Sequence, residues 1–308
     1  MVPVCREMPR RKQLLKQTSY GGEAMTRDLN ASRILSVFSR VDEHRRIASL
    51  IRSHSTNPRD IRAIALDAID TRAARSILEL GCGFGSFLGA LEGRIAQEAH
   101  LTGMDIVPAY EGPFLDACRR IGIQGRFLAE GAQRISACPD RSYDLILCSF
   151  ALYFFPEVIP HIARILRQGG VFIAITHDRR NMGELMDITK EILRNLGLPP
   201  ENGRLPIEGI LSRFCAENGL ALLAPHFGRV QTLDYDNNLV FQPHDMDRLV
   251  TYFRFKGPLF LGGADDETEA LVHRVALALE QSSLRHQGLV LSKDDRIFIC
   301  SDPGRPGP

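Results

Sequence analysis

Apolar residues recur in two rhythms along this chain. Before residue 70 they fall at helical spacing: "LNASRILSVFSRVDEHRRIASLIRSH" and, after the break at "NPRD", "IRAIALDAID" each gather them on one side of a helix. From residue 76 short apolar runs take over. "SILEL", "LTGMDI", "GRFLAE", "SYDLILCSFAL" and "VFIAITHD" read as strands. The fourth is almost wholly apolar, as suits a strand buried on both faces. Between them "SFLGALEGRIA", "AYEGPFLDACRRIG" and "PEVIPHIARILRQ" read as helices, the last ended by Gly169 and Gly170. Repeated strand–helix units of this length predict an α/β fold, a mostly parallel sheet with helices on both faces.

Beyond residue 178 the rhythm loosens. "MGELMDITKEILRNLG" and "PIEGILSRFCAENG" read as helices, and "ALLAPHFGRVQTLDYDN" has strand character. A helical insert, "DMDRLVTYFRFK" and "DETEALVHRVALALEQSSL", precedes a last strand, "DRIFICS". The organisation expected is a flexible basic tail over 1–24, with Met25 as an alternative start, then a helical lid over 25–70. The main domain follows over 71–308, with 179–205 and 240–285 as insertions that cap the substrate.

Composition narrows the setting. Hydrophobic residues at 44% and charged residues at 24% describe an ordinary soluble globular chain. A net charge of +1 gives no electrostatic case for nucleic acid or an anionic membrane. The seven cysteines are scattered without a Cys-x-x-Cys pair, which fits neither a zinc site nor a disulfide framework and points to a reducing, cytoplasmic setting. No stretch matches a signal peptide, and "LILCSFALYFF" is about half the roughly 20 apolar residues of a membrane span.

The densest signal is "ILELGCGFGSFLGAL", residues 77–91. Gly81, Gly83 and Gly85 follow the first strand, at the edge where open α/β sheets bind ligands. Their spacing is G-x-G-x-G, with Ser86 where the dinucleotide fingerprint needs its last glycine, and no P-loop Lys-Ser/Thr follows. Asp105 closes the second strand, 20 residues beyond Gly85, where a carboxylate can accept from both hydroxyls of a ribose. Glu79 lies inside the first apolar strand, where an unpaired charge is costly, so it needs a donor such as a ligand ammonium.

Together "ELGCGFG", "GMDI", "YDLILCSFALYFF" and "RILRQGGVFIAITH" resemble the class I S-adenosylmethionine-dependent methyltransferases, most closely their small-molecule branch typified by ubiquinone and menaquinone methyltransferases. The resemblance covers residues 72–178 and loosens after that. It implies a Rossmann-like, doubly wound, seven-stranded sheet and S-adenosyl-L-methionine as cofactor. It implies further that Glu79 and the loop Gly81, Cys82, Gly83 and Gly85 face the methionine part. Asp105 would hold the ribose and Ile106 would cover the adenine. Where the family often has an acidic stretch after the third strand, this chain has "AEGAQ", leaving Glu130, Gly131 and Ala132 for the adenine amino group. Ser149 and Phe150 would line the region near the transferred methyl.

Methyl transfer needs positioning and exclusion of water, plus a base where the acceptor must lose a proton. His177 and Asp178 follow the fifth strand and are the candidate bases; the competing reading has Asp178 capping the next helix and His177 packed beside it. Tyr153 and His177 are candidate substrate contacts, and no metal is implied. His54 and Tyr20 could reach the site through the lid. "YFRFKGPLFL" mixes Tyr252, Phe253, Phe255, Phe260 and Leu261 with Arg254 and Lys256: either a cap over a partly apolar acceptor with an acidic group, or a packed helix with solvated charges. The expected function is methyl transfer to an O, N or C nucleophile of a small molecule, with a homodimer contact open to the N-terminal helices. The alternatives are a non-catalytic cofactor-binding partner protein and an NAD-dependent oxidoreductase; nothing supports a nucleic acid substrate.

Overall fold

In a computed structural model of the chain, residues 34–96, 98–262, 265–283 and 288–304 are described. The alternation of apolar side chains decides the layering. In β4 (Tyr143–Ser149), Ile146 and Cys148 point to one face of the sheet, and Leu145 and Leu147 to the other. All four are at most 2% exposed, so both faces carry cover. The strands β1 (Ser76–Leu80), β2 (His100–Met104), β3 (Gln124–Leu128), β4 and β5 (Leu166–His177) run parallel. With β6 (Phe227–Tyr235) and β9 (Asp295–Pro303) they make one seven-stranded sheet in the order β3-β2-β1-β4-β5-β9-β6. Within this sheet β9 runs opposite to the other six strands, antiparallel to both β5 and β6. This is the doubly wound, Rossmann-like sheet that the residue pattern and the resemblance lead one to expect. A small antiparallel pair, β7 (Asn238–Phe241) with β8 (Leu289–Ser292), stands apart and was not legible in the sequence.

Besides a helical turn over 34–38, the α-helices among the described residues are α1 (Val41–His54), α2 (Ile61–Asp67), α3 (Leu88–Leu91), α4 (Glu111–Arg120), α5 (Ile159–Ile165), α6 (Gly183–Asn195), α7 (Pro206–Leu211), α8 (Gly219–Leu223), α9 (Met246–Leu261) and α10 (Asp266–Ser283). None among the described residues is long and apolar enough to cross a membrane. The strand order reverses between β1 and β4, so the loops after β1, β2, β4 and β5 rise around one crevice. Beside it α1 is tied to β7: Ser55 bridges Leu239, and Thr56 N donates to Asn238 O at 2.9 Å.

Several elements differ from the sequence expectation. The helix read through to residue 54 breaks at Ser39 and Arg40, so that α1 starts at Val41 after a separate helical turn over 34–38. The helix after the glycine loop is one turn, Leu88–Leu91, because Glu92 adopts extended geometry and Gly93 a positive φ of 70°. The helix before β5 ends at Ile165, not at Gly169. Its last carbonyls, on Arg164 and Ile165, accept from the N–H groups of Arg141 and Ser142 at 3.0 and 2.7 Å, and Leu166 turns extended. The glycines therefore lie inside β5. The "PIEGILSRFCAENG" stretch keeps only Pro206–Leu211 as helix at its start, with Gly219–Leu223 beginning at its end.

Close packing between β2 and α4 makes Gly103 a stability test. A Cβ there would meet the Phe114 ring and lie 2.8 Å from Cys82 Sγ. Gly103→Ala should cost about 1–3 kcal/mol by overpacking, read as a lower urea midpoint at unchanged slope. An unchanged midpoint would contradict the packing described.

Candidate functional site

The crevice is a cavity of about 860 Å³, within the range of roughly 300–1,000 Å³ typical of ligand sites. The glycine turn forms one wall. Gly81 N and Cys82 N both donate to Met104 O, at 2.8 and 3.3 Å, closing the chain sharply over the end of β2. Gly81 has φ +62°, and a Cβ on it would lie 2.5 Å from the Ala151 Cβ, so only glycine fits there. Asp105, just past the end of β2, is held by two backbone donors: Gly83 N to Oδ2 and Val107 N to Oδ1, each 2.9 Å. Burial raises its carboxyl, and those N–H groups oppose the rise. A carboxylate pinned this way presents fixed lone pairs to a ligand.

Glu79 is 1% exposed. One oxygen accepts weakly from Phe87 N at 3.4 Å, while Oε2 has no partner. Burial pushes its carboxyl up to about 8, against the pull of the Arg62 guanidinium. Arg62, from α2, lines the cavity over the rings of Phe87 and Phe150 at 5.9 and 5.6 Å, and its Nε is likewise buried and unpartnered. Two buried atoms without a partner, one on an acid and one on a base, thus flank the glycine loop; the Arg62 guanidinium is otherwise 3.8 Å from Asp60 Oδ1.

At the ends of β4 and β5 a second cluster forms. Phe150 sits at φ +55°, a strained geometry for a non-glycine residue, and Phe150 N donates to Ile175 O at 2.8 Å. Its ring stacks on His177 with centroids 4.5 Å apart. His177 Nδ1 lies 2.6 Å from Asp295 Oδ1, and Lys293 Nζ lies 2.6 Å from Asp295 Oδ2. Lys293 Nζ also lies 3.3 Å from Nδ1, but the Asp295 contact is much the shorter and its carboxylate can only accept, so Nδ1–H donates to Asp295 and Nε2 is left bare on the imidazole. Burial, then Lys293, push His177 down to about 4, although Asp295 pulls the other way. Burial alone would raise Asp295, but Lys293 and His177 outweigh it and hold the carboxyl below the usual range.

The remaining wall comes from elements far apart in the chain. His44 of α1 pairs with the Tyr110 hydroxyl at 2.7 Å, and burial, with Lys256 and Arg62 nearby, pushes its imidazole down to about 3. Arg213 reaches in from the segment after α7, bound to Glu157 Oε2 at 2.9 Å and to Phe154 O at 2.6 Å. Tyr252 and Lys256 come from α9, and Asn181 and Met182 from the turn before α6.

Most residues singled out from the sequence meet here. Gly81, Cys82, Gly83, Asp105 and Ile106 line the cavity. So do Glu130, Gly131, Ala132, Ser149, Phe150, Tyr153 and His177. Glu79 and Gly85 are not part of the lining and stand behind the turn. Asp178 does not line the cavity, and it does not cap α6, whose N-terminal flank is Met182. It lies among Glu217, Asp294 and Asp295, and burial with those charges pushes it up to about 6. His54 stacks on Phe241 at 4.5 Å, away from the lining, and Tyr20 lies outside the described residues, as does the 1–24 tail. Sequence reasoning missed Arg62, Lys293 and Asp295. The "KDD" before the last apolar strand was the available signal for the last two.

Residues 77–170 match the family of methyltransferase domains. Phosphatidylethanolamine N-methyltransferase of Cereibacter sphaeroides is 26% identical over 130 residues, 41% of this chain and 62% of that protein. Nocamycin O-methyltransferase of Saccharothrix syringae is 31% identical over 110 residues, 34% of this chain and 39% of that protein. The matches thus span between 39% and 62% of the curated relatives' own length. Among solved structures, the YcgJ protein of Bacillus subtilis shares the fold at TM-score 0.51 and 17% identity, covering 79% of this chain and 98% of that one. Glycine turn, switch-point cavity and strand order agree with the domain match: residues 77–170 match a methyltransferase domain, set in a doubly wound seven-stranded sheet of the fold seen in YcgJ.

Proposed function

We propose that the protein transfers a methyl group from S-adenosylmethionine to a nucleophilic atom of a small-molecule acceptor. The observation that carries this reading is the pair of orphaned atoms beside the glycine loop, Glu79 Oε2 and Arg62 Nε. An amino-acid moiety carries both an ammonium and a carboxylate, and so answers both orphans at once. A nicotinamide dinucleotide offers no ammonium to Glu79.

In this reading Glu79 and the backbone of Gly81, Cys82, Gly83 and Gly85 hold the amino-acid end, with Arg62 on its carboxylate. Asp105 accepts from the ribose hydroxyls, Ile106 covers the adenine, and Glu130, Gly131 and Ala132 meet its amino edge. Ser149 and Phe150 face the reacting end. S-adenosylmethionine, when bound, supplies a methyl group already activated on a sulfonium. The chain's own work is to align the acceptor, exclude water and receive a proton where the acceptor releases one. His177 Nε2 is the atom for that last task, and Asp295, in place of Asp178, orients the ring and stabilises the imidazolium that forms. The helices before residue 70 serve as a lid: Phe38, His44 and Ile51 already stand on the cavity wall.

Calorimetric titration decides the matter. S-adenosylmethionine or its demethylated product should bind and NAD(H) should not; the opposite result overturns the reading. Asp105→Ala should weaken that binding about 10- to 100-fold, the loss of hydrogen bonds to a charged acceptor worth roughly 1.5–3 kcal/mol. Equal affinity in the variant would remove Asp105 from the site.

A further inference from the structure

Most charged side chains on the cavity wall have a partner: Arg62 Nη1 lies 3.8 Å from Asp60 Oδ1, and Asp105 accepts from two backbone N–H groups. Glu157 holds Arg213 at 2.9 Å, Glu130 holds Arg134 at 2.6 Å, and Asp295 holds Lys293 at 2.6 Å. Lys256 is different. Among the described residues no carboxylate lies within ion-pair distance of it, and its ammonium rests instead 4.4 Å from the Phe38 ring centroid and 5.6 Å from that of Phe255. Burial, with Lys293 adding like charge, pushes its ammonium down to about 8. An enclosed ammonium with no counter-ion carries a desolvation cost that an arriving anion relieves.

The setting narrows what that anion is. Lys256 and Tyr252 are four residues apart on α9, so they project from one face of the helix, and both line the cavity. Tyr153 and Phe154 add aromatic surface to the same wall. Lys256 offers a single point charge, while the Arg213 fork is already spent on Glu157 and Phe154 O. A monoanion on an apolar body suits this better than a phosphate, which recruits several donors. Resting on the methyltransferase reading, we propose that the acceptor is an apolar or aromatic carboxylate whose anionic group is held by the Lys256 ammonium, with its body against the aromatic wall.

The test uses the full chain saturated with S-adenosylhomocysteine, titrated calorimetrically with 1-naphthoate and with its neutral analogue 1-naphthamide. The carboxylate should bind at least tenfold more tightly than the amide. Lys256→Met should abolish that preference and keep its affinity for S-adenosylhomocysteine; Lys256→Gln serves the same titration should the methionine variant fold poorly. Equal binding of both probes, binding of neither, or a preference that survives both substitutions overturns the proposal. A tenfold loss of S-adenosylhomocysteine affinity in the variants also overturns it, by placing Lys256 on the cofactor. The methyltransferase reading stands through each of these results and falls only if the wild-type chain fails to bind S-adenosylhomocysteine.

Discussion

Asp295→Asn should destabilise the protein by about 3–5 kcal/mol, the cost of removing one partner from a buried ion pair. Asp295 is 4% exposed and serves two donors, Lys293 Nζ and His177 Nδ1, both at 2.6 Å. Asparagine keeps the shape and loses the charge, so the Lys293 ammonium remains in place without its anion. The double variant Asp295→Asn with Lys293→Met should recover a large part of the loss, because neither charge is then left alone. Urea denaturation of the single and double variants reads both effects. A single variant within about 1 kcal/mol of wild type would show that the cluster does not carry a true buried pair. The same substitution should leave S-adenosylhomocysteine affinity nearly unchanged, since Asp295 stands behind His177 and not on the glycine loop.

Glu79→Gln should move stability and ligand affinity in opposite directions. The Glu79 carboxyl is pushed up to about 8 from an ordinary 4.5, chiefly by burial. An acid whose folded value is raised loses folding stability as pH climbs through the window between the two values, because the unfolded chain ionises first. At about 1.4 kcal/mol per pH unit, the carboxyl costs the cofactor-free protein about 3 kcal/mol at pH 7. Glutamine carries no such term. The variant should therefore be more stable at pH 7 by on the order of 1–3 kcal/mol, with a flatter dependence between pH 4.5 and 8. It should also bind S-adenosylhomocysteine about 10- to 100-fold more weakly, having lost a charge-assisted partner for the ligand ammonium. Stability held in reserve for a ligand is the usual sign of a binding group. A variant with lowered stability and undiminished affinity would place Glu79 in the core alone.

Much of the glycine-loop side of the cavity was legible because it is local. Glu79, the glycines to Gly85 and Asp105 lie within 27 residues, and each sits at a strand end that the apolar pattern marks. Strand-to-helix rhythm decides which end of β1 and β2 is the open one, so a carboxylate at that end is placed without knowing the rest of the fold. The helix after the glycine loop was overread for the same reason: apolar periodicity continues through "LEGRIA", but Gly93 takes a positive φ that ends the turn. In the same way Gly169 and Gly170 look like a helix stop, and the actual stop comes from Arg141 and Ser142 capturing the last carbonyls from across the chain.

The partner of His177 shows where local reading ends. Asp178 is its neighbour in sequence, yet successive residues at a strand end face different ways, and Asp178 turns toward Glu217 and Asp294. Asp295 is 118 residues away and meets His177 directly because β9 runs antiparallel to β5, with the two residues in register. An antiparallel strand brings its beginning, not its end, to the ligand edge. No spacing rule along the chain announces that reversal.

By itself, then, the sequence determined the α/β class, the glycine turn and the acids that follow β1 and β2, because hydrophobic period and turn chemistry act over a few residues. Tertiary structure alone decided that Arg62 stands near Glu79, that Asp295 and Lys293 stand behind His177, and that Lys256 enters the cavity with no counter-ion among the described residues. Those pairings depend on how helices and an antiparallel strand from distant parts of the chain pack over one edge of the sheet. Burial, which sets the charge state of each of these groups, exists only once that packing is complete.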